Sequence, residues 1–186
     1  MKEKTSRESY NFVIAVDSDL EAVMSLLHRT WLTTYVDGTF GISPDDINAR
    51  FDPQSPEGRA RYERMRERFR DENMHCVLAK RASGELAGIG IARRGEVQNF
   101  IESVYIDPLH QGQGVGHRIL ETLITWLLLE DKPISLYVAT QNEKAIEFYG
   151  GHGFQINLNT PLSSHQETAL PSGIVIAEVE MVLKKD

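Results

Sequence analysis

The stretch Ile101-Glu-Ser-Val-Tyr-Ile-Asp-Pro-Leu-His-Gln-Gly-Gln-Gly-Val-Gly-His117 runs from an apolar strand through a glycine-rich turn into a helix. Asp107-Pro108 ends the strand, because proline cannot donate to a ladder and biases the residue before it toward an extended conformation. Gly112, Gly114 and Gly116 permit dihedrals and close approaches that a side chain would forbid. The first helical turn then offers unpaired N–H groups and a positive dipole end, so the construction suits a phosphate. Spacing narrows which phosphate ligand it suits. A dinucleotide fingerprint G-x-G-x-x-G counted from Gly112 needs glycine where His117 stands, and a P-loop needs Gly-Lys-Ser/Thr, which is absent. The alternative at this stage is a strand-to-helix turn that holds no ligand.

Outward from this turn, bulk properties set the frame. A chain of 186 residues with 41% hydrophobic and 25% charged residues fits one globular domain over 1–186. The first nine residues contain no apolar run that could serve as a signal peptide, and no segment approaches the roughly 18 apolar residues of a membrane span. The lone Cys76, followed by Val77, Leu78 and Ala79, reads as a buried strand residue, and a reducing cytoplasm is the expected location. The net charge of −7 argues against a nucleic-acid partner.

Periodicity gives the order strand, helices, three strands, helix, strand, helix, strands. Residues 11–16 form a first strand, and Leu20, Val23, Met24, Leu26 and Leu27 mark a helix through Thr30. Between Glu57 and Asn73 six arginines alternate with five acids while Tyr62, Met65 and Phe69 form a stripe, which predicts a solvated amphipathic helix. A hairpin follows at 75–81 and 86–93, then a strand over 97–106. After the glycine turn, Val115, Ile119, Leu120, Leu123, Ile124, Leu127 and Leu128 share the face of a helix that should pack on the sheet. Strands at 134–139, 154–156 and 174–183 and a short helix at 142–149 complete the reading. No pair of the six histidines has a metal-ligand spacing, so no metal is expected; His110 and His117 flank the turn and could approach phosphates or solvent.

A second constellation, Asn142-x-x-Ala145-Ile146-x-Phe148-Tyr149-x-x-x-Gly153-Phe154, has its own logic. Asn142 is a good N-cap, Gly150 or Gly151 can end the helix, and Asn142 and Tyr149 fall on nearly one face. Alone it describes a capped helix with a half-buried tyrosine. Together, Gln111-x-x-Gly114-x-Gly116 resembles the Q/R-x-x-G-x-G/A pyrophosphate loop of the GNAT superfamily of N-acetyltransferases, and the second motif resembles that family's carboxy-terminal coenzyme A segment. The resemblance is specific over residues 97–154.

It implies an α/β fold whose mixed six- to seven-stranded central sheet splays in the middle, with helices on both faces. It implies acetyl-coenzyme A as co-substrate, held by Gln111, Gly112, Gln113, Gly114, Val115, Gly116, His117, Asn142 and Tyr149 and by the backbones of Val104 and Ile106, in the manner of a strand added to a sheet edge. It further implies transfer of the acetyl group to a primary amine by direct attack. Glu102, expected on the face of Val104, would take the amine proton, the N–H of Val104 would steady the thioester oxygen, and Tyr149 would protonate the leaving thiolate. Glu102 as a solvent-facing strand residue and Tyr149 as a packing residue are the alternatives. The acceptor would be lined by Trp31, Tyr35, Phe40 and the acids Asp37, Asp45 and Asp46, with the loop 157–173 as a flap. This tryptophan-threonine-tyrosine pattern is similar to bacterial polyamine acetyltransferases, so a polyamine or other small amine is expected, with Glu102 also touching it. Members of the family often dimerise, which leaves a homodimer open. Two other classes stay open: a non-catalytic acyl-coenzyme A sensor of the same fold, and an acetyltransferase for peptide amines.

Overall fold

The computed structural model describes residues 9–36, 41–160 and 170–184. Its elements are β1 (Tyr10–Ile14), α1 (Leu20–Tyr35), α2 (Pro44–Phe51), α3 (Pro56–Arg70), β2 (Met74–Arg81), β3 (Leu86–Arg93), β4 (Asn99–Ile106), α4 (Val115–Leu127), β5 (Ile134–Ala139), α5 (Glu143–Gly150), β6 (Phe154–Ile156) and β7 (Glu178–Leu183). The seven strands form one mixed sheet in the order β1-β2-β3-β4-β5-β7-β6. Alternate residues of the central strands feed two cores. Cys76, Leu78, Ile89 and Ile91 meet α1, α2 and α3 on one face, while Val77, Ala79, Ala87 and Ala92 meet α4 on the other. The structure is thus of the α/β class with helices on both faces.

The sheet splits at its one parallel junction. Strand β4 pairs with β5 only through Asn99, Phe100 and Ile101, opposite Ile134, Ser135 and Leu136. Past Ile101 the strands diverge, and β5 instead continues antiparallel to β7 from Ser135 to Ala139. Beyond the junction, the free edge of β4 follows an alternation set by its other neighbour. Asp107 N–H donates to the Ala87 carbonyl on the β3 side. Two-residue periodicity then turns the N–H and C=O of Val104 and Ile106 away from β3 and into the split.

Helix α4 lies close against this edge. A Cβ on Gly90 of β3 would stand 2.2 Å from Ile119 Cγ2, so only glycine lets α4 approach the sheet at this point. Val115, Ile119, Leu120, Leu123 and Leu127 are buried as expected, but the helix ends at Leu127 and leaves Leu128 54% exposed.

Other boundaries also differ from the sequence expectation. Helix α1 continues to Tyr35 because no breaker intervenes and Trp31 is buried. Helix α2 replaces part of an expected connection. It is announced by a capping box in which Asp46 N–H donates to Ser43 Oγ and Ser43 N–H donates to the Asp46 carboxylate, with Pro44 in the first turn. Strand β7 begins at Glu178 rather than residue 174.

Candidate active site

The glycine turn carries the geometry its residues require. Gly112 and Gly114 sit at φ 73° and 81°, a left-handed region that side chains rarely adopt, and a Cβ at either would point into open space. Gly114 is the N-cap of α4 and contributes no side-chain cap, and no acid stands in the helix's first turn. The amides that open α4 therefore keep a positive end without an internal counter-charge. Gly116 packs against Ile106 and Phe148, which ties the turn to β4 and α5.

Around the turn the polar side chains are partly committed. Gln111 Nε2 donates to the Ile106 carbonyl at 3.2 Å and Gln113 Nε2 to the Leu109 carbonyl at 3.1 Å. Tyr10 Oη donates to Gln113 Oε1. His117 Nδ1 is 2.6 Å from His152 Nε2, and its Nε2 is 3.1 Å from Glu121, so both ring nitrogens face protein partners. His110, expected near phosphate or solvent, is buried and bonded to the Tyr10 hydroxyl instead. Asn142 caps α5, its Oδ1 accepting from Ala145 N–H at 3.1 Å.

Tyr149 is buried among Phe148 and Phe154. Burial, and after it the neighbouring Tyr105 phenol, holds its proton well above the usual tyrosine range. The hydroxyl therefore keeps its proton throughout the physiological range.

On the other side of the sheet, α1, α2, α3 and strands β3, β4, β5 and β7 line an open cavity of about 630 Å³. Trp31, Tyr35 and Glu102 all line it. Trp31 and Tyr35 pack with their rings tilted and their centroids 4.7 Å apart, so they belong to the core and to the cavity wall together. Burial keeps the Tyr35 phenol protonated far above its ordinary range.

Glu102 departs from expectation in its direction. The β3–β4 register passes from Ile91↔Ser103 to Ala92↔Ile101, which leaves Glu102 as the extra residue of a β-bulge. The bulge breaks the two-residue alternation. Val104 packs with the α4 core, whereas Glu102 turns to the cavity face and bridges two arginines, Arg93 Nε at 2.7 Å and Arg68 Nη2 at 2.9 Å. It is not a solvent-facing strand residue, nor does it share the face of Val104.

The arginines were not anticipated. Arg50 of α2, Arg61 and Arg68 of α3 and Arg93 of β3 all line the cavity, against two carboxylates, Glu102 and Glu178. The expected solvated helix holds for much of α3, but Arg61 and Arg68 flank the buried Met65 at one-turn spacings and face inward with it. Of the acids expected to attract a cation, Asp46 is engaged by Ser43 and by Ser172 N–H, which hold its carboxyl at about 2. Asp37 and Phe40, and residues 161–169 of the suggested flap, lie outside the described residues. Among the described residues no group of acids, histidines and cysteine could hold a metal ion, and no helix is long and apolar enough to cross a membrane.

The geometry is a sheet edge whose Val104 and Ile106 backbone groups face the split, the Ile106 carbonyl accepting from Gln111, with a phosphate-type turn at one end and a cavity behind it. The family described as acetyltransferase (GNAT) matches residues 44–154, more than half of the chain. In fold the chain is similar to a PaiA N-acetyltransferase from Thermoplasma acidophilum solved with coenzyme A (TM-score 0.74, 17% identity, covering 95% of this chain and 99% of that one). In sequence it is 35% identical over 85 residues to the N-alpha-acetyltransferase RimI of Mycobacterium tuberculosis, covering 44% of this chain and 52% of that protein. It is also 34% identical over 85 residues to the uncharacterized protein ML0378 of Mycobacterium leprae, covering 44% of this chain and 23% of that protein. The chain thus spans about half or less of the curated relatives it matches. With the family's motif spacing, the split sheet and the match over 44–154 in agreement, the chain belongs to the GNAT acetyltransferase family.

Proposed function

We propose that the chain is an acetyl-coenzyme A-dependent N-acetyltransferase that passes the acetyl group directly to a primary amine bound in the 630 Å³ cavity. One observation carries this reading: the free edge of β4 at Val104 and Ile106 lies between the glycine turn and that cavity, so one ligand strand can reach from phosphate site to acceptor. The residues fit the co-substrate. The left-handed Gly112 and Gly114 leave open space where phosphate oxygens would approach, and the uncapped start of α4 supplies donors and positive potential. Val104 and Ile106 would hold the pantetheine amides through their backbones; Gln111, Gln113, Val115, Gly116, His117 and Asn142 frame the same groove.

When bound, acetyl-coenzyme A supplies an activated acetyl thioester. The attacking amine must first lose a proton, since a free alkyl amine is protonated near neutrality. Glu102 receives it through a water. The carboxylate already accepts from Arg93 and contacts Arg68, and its remaining lone pairs leave capacity for one more donor. The Val104 N–H, turned into the split, would polarise the carbonyl under attack. Tyr149, whose proton burial retains, gives a proton to the departing sulfur.

The acceptor is a small amine. A polyamine would bring more positive charge into a wall of four guanidiniums and two carboxylates, and that arrangement opposes it. A second reading, a peptide amino terminus, is favoured by the relative named N-alpha-acetyltransferase. A cytoplasmic location and a single domain accord with this activity. The test is turnover against amine panels beside calorimetric binding of acetyl-coenzyme A. Transfer to a small amine supports the reading; tight binding without transfer to any amine would make the chain a sensor instead.

A further inference from the structure

Among the arginines of the cavity, Arg61 is set apart. Its guanidinium lies 5.4 Å from the Trp31 ring centre and 4.8 Å from that of Phe51, a seat between two aromatic faces. Its Nε is buried without a hydrogen-bond partner. Among the described residues no carboxylate forms an ion pair with it, and Glu102 is already shared by Arg68 and Arg93. Burial first, then the like charge of Arg50, weighs against the Arg61 cation; Tyr105 favours it, and Arg64 and Arg68 oppose it more weakly. Arg50 itself lies over the Trp31 ring at 4.7 Å. A buried guanidinium nitrogen left without an acceptor costs solvation, which an anionic ligand would repay at Arg61. The cavity also contains the means to hold the other half of such a ligand: Glu102 and Glu178 stand on β4 and β7, next to the sheet edge where the amine must react.

We infer that the acceptor carries an oxyanion on the same small molecule as its amine, and that Arg61, backed by the Trp31 and Phe51 rings, receives that anion while the amine lies toward Glu102 and Glu178. The inference rests on the acetyl-transfer reading for the identity of the reacting amine, but the binding it describes does not. Arg61 is a specificity residue here. It touches the non-reacting end of the acceptor, and its fork offers the paired donors that a carboxylate or phosphate accepts.

Acceptor binding can be read without turnover by titrating the protein saturated with free coenzyme A, which has no acetyl group to give. The probes are ω-amino acids from glycine to 6-aminohexanoate, their amides, and diamines of matching length; O-phosphoethanolamine beside β-alanine separates phosphate from carboxylate. At the best length the amino acid should bind at least tenfold tighter than its amide. Arg61→Gln should abolish that ratio, and Arg61→Lys, which keeps the charge but not the fork, should retain part of it. Thermal melts identify any variant that fails to fold, and Arg61→Lys then decides. A diamine that binds tighter than every anionic probe, binding by none of the probes, or a ratio unchanged in the folded variants would overturn the inference. The two readings fail separately. An amino acid that binds but is never acetylated from acetyl-coenzyme A removes the transferase, whereas efficient acetylation of diamines alone removes the anionic acceptor and leaves the transferase standing.

Discussion

The two sides of the split sheet are built from different materials. On the side proposed for the coenzyme the groups on offer are backbone: the left-handed Gly112 and Gly114, the first amides of α4, and the edge of β4. On the cavity side they are side chains from five elements, with Trp31, Arg50, Arg61, Arg68, Glu102 and Glu178 meeting only in the folded molecule. A backbone site is defined by dihedral angles and spacing, so it tolerates almost any side chain outside its glycines. A side-chain site is set by where helices cross, and each of its charges depends on its neighbours. One surface can then serve a constant co-substrate while the other is free to specify an acceptor.

Substitutions on each side should therefore fail differently. Glu102→Gln and Tyr149→Phe should each lower kcat by roughly 10²-fold, as loss of a positioned base or acid does, with acetyl-coenzyme A affinity unchanged by calorimetry. Because burial raises the Tyr149 proton above the ordinary tyrosine range, the wild-type alkaline limb should stay flat through about pH 10 as far as this group is concerned. Full turnover by Tyr149→Phe would reduce that residue to packing.

Gly114→Val should act on the other side only. A branched residue at φ 81° is strained by about 1–2 kcal/mol, seen as a lower melting temperature. Its Cβ would also stand where the ligand approaches, so acetyl-coenzyme A should bind more than tenfold weaker while the ranking of acceptors is unchanged. A changed acceptor ranking would mean that the two sides are not separable.

A smaller effect concerns the core between them. Burial pushes the Cys76 thiol up to about 12, above its value in the unfolded chain. Stability from this group is complete below the ordinary thiol range and is lost as pH rises from about 9 toward 12, at up to about 1 kcal/mol per pH unit. Denaturant midpoints of wild type and Cys76→Ala should converge over that window. The smallest effect belongs to Val104→Ile, which should change acetyl-coenzyme A binding less than twofold because its part is played by N–H and C=O.

The same contrast explains what the sequence could reveal. Gly112, Gly114 and Asn142 were readable because glycine spacing and caps act locally and encode backbone shape directly. The split between β4 and β5 followed from resemblance. The capping box at Ser43 and Asp46 was present as a signal for α2 and passed unread. Arg61 and Arg68 could have been found from their spacing around Met65, but charge alternation along α3 gives no sign of which arginines turn inward. The direction of Glu102 was not legible, since a one-residue bulge reverses the alternation on which the expectation rested. The cavity's charge is a tertiary property and has no local code.

The central claim is that the edge of β4 brings an acetyl thioester to an amine in the arginine-lined cavity. Its most direct test is to incubate the protein with acetyl-coenzyme A and amine candidates while following free thiol and acetylated amine by mass spectrometry. One acetylated amine should form for each coenzyme A released. Thiol release with no acetylated amine, or tightly bound acetyl-coenzyme A that is never consumed, would contradict it.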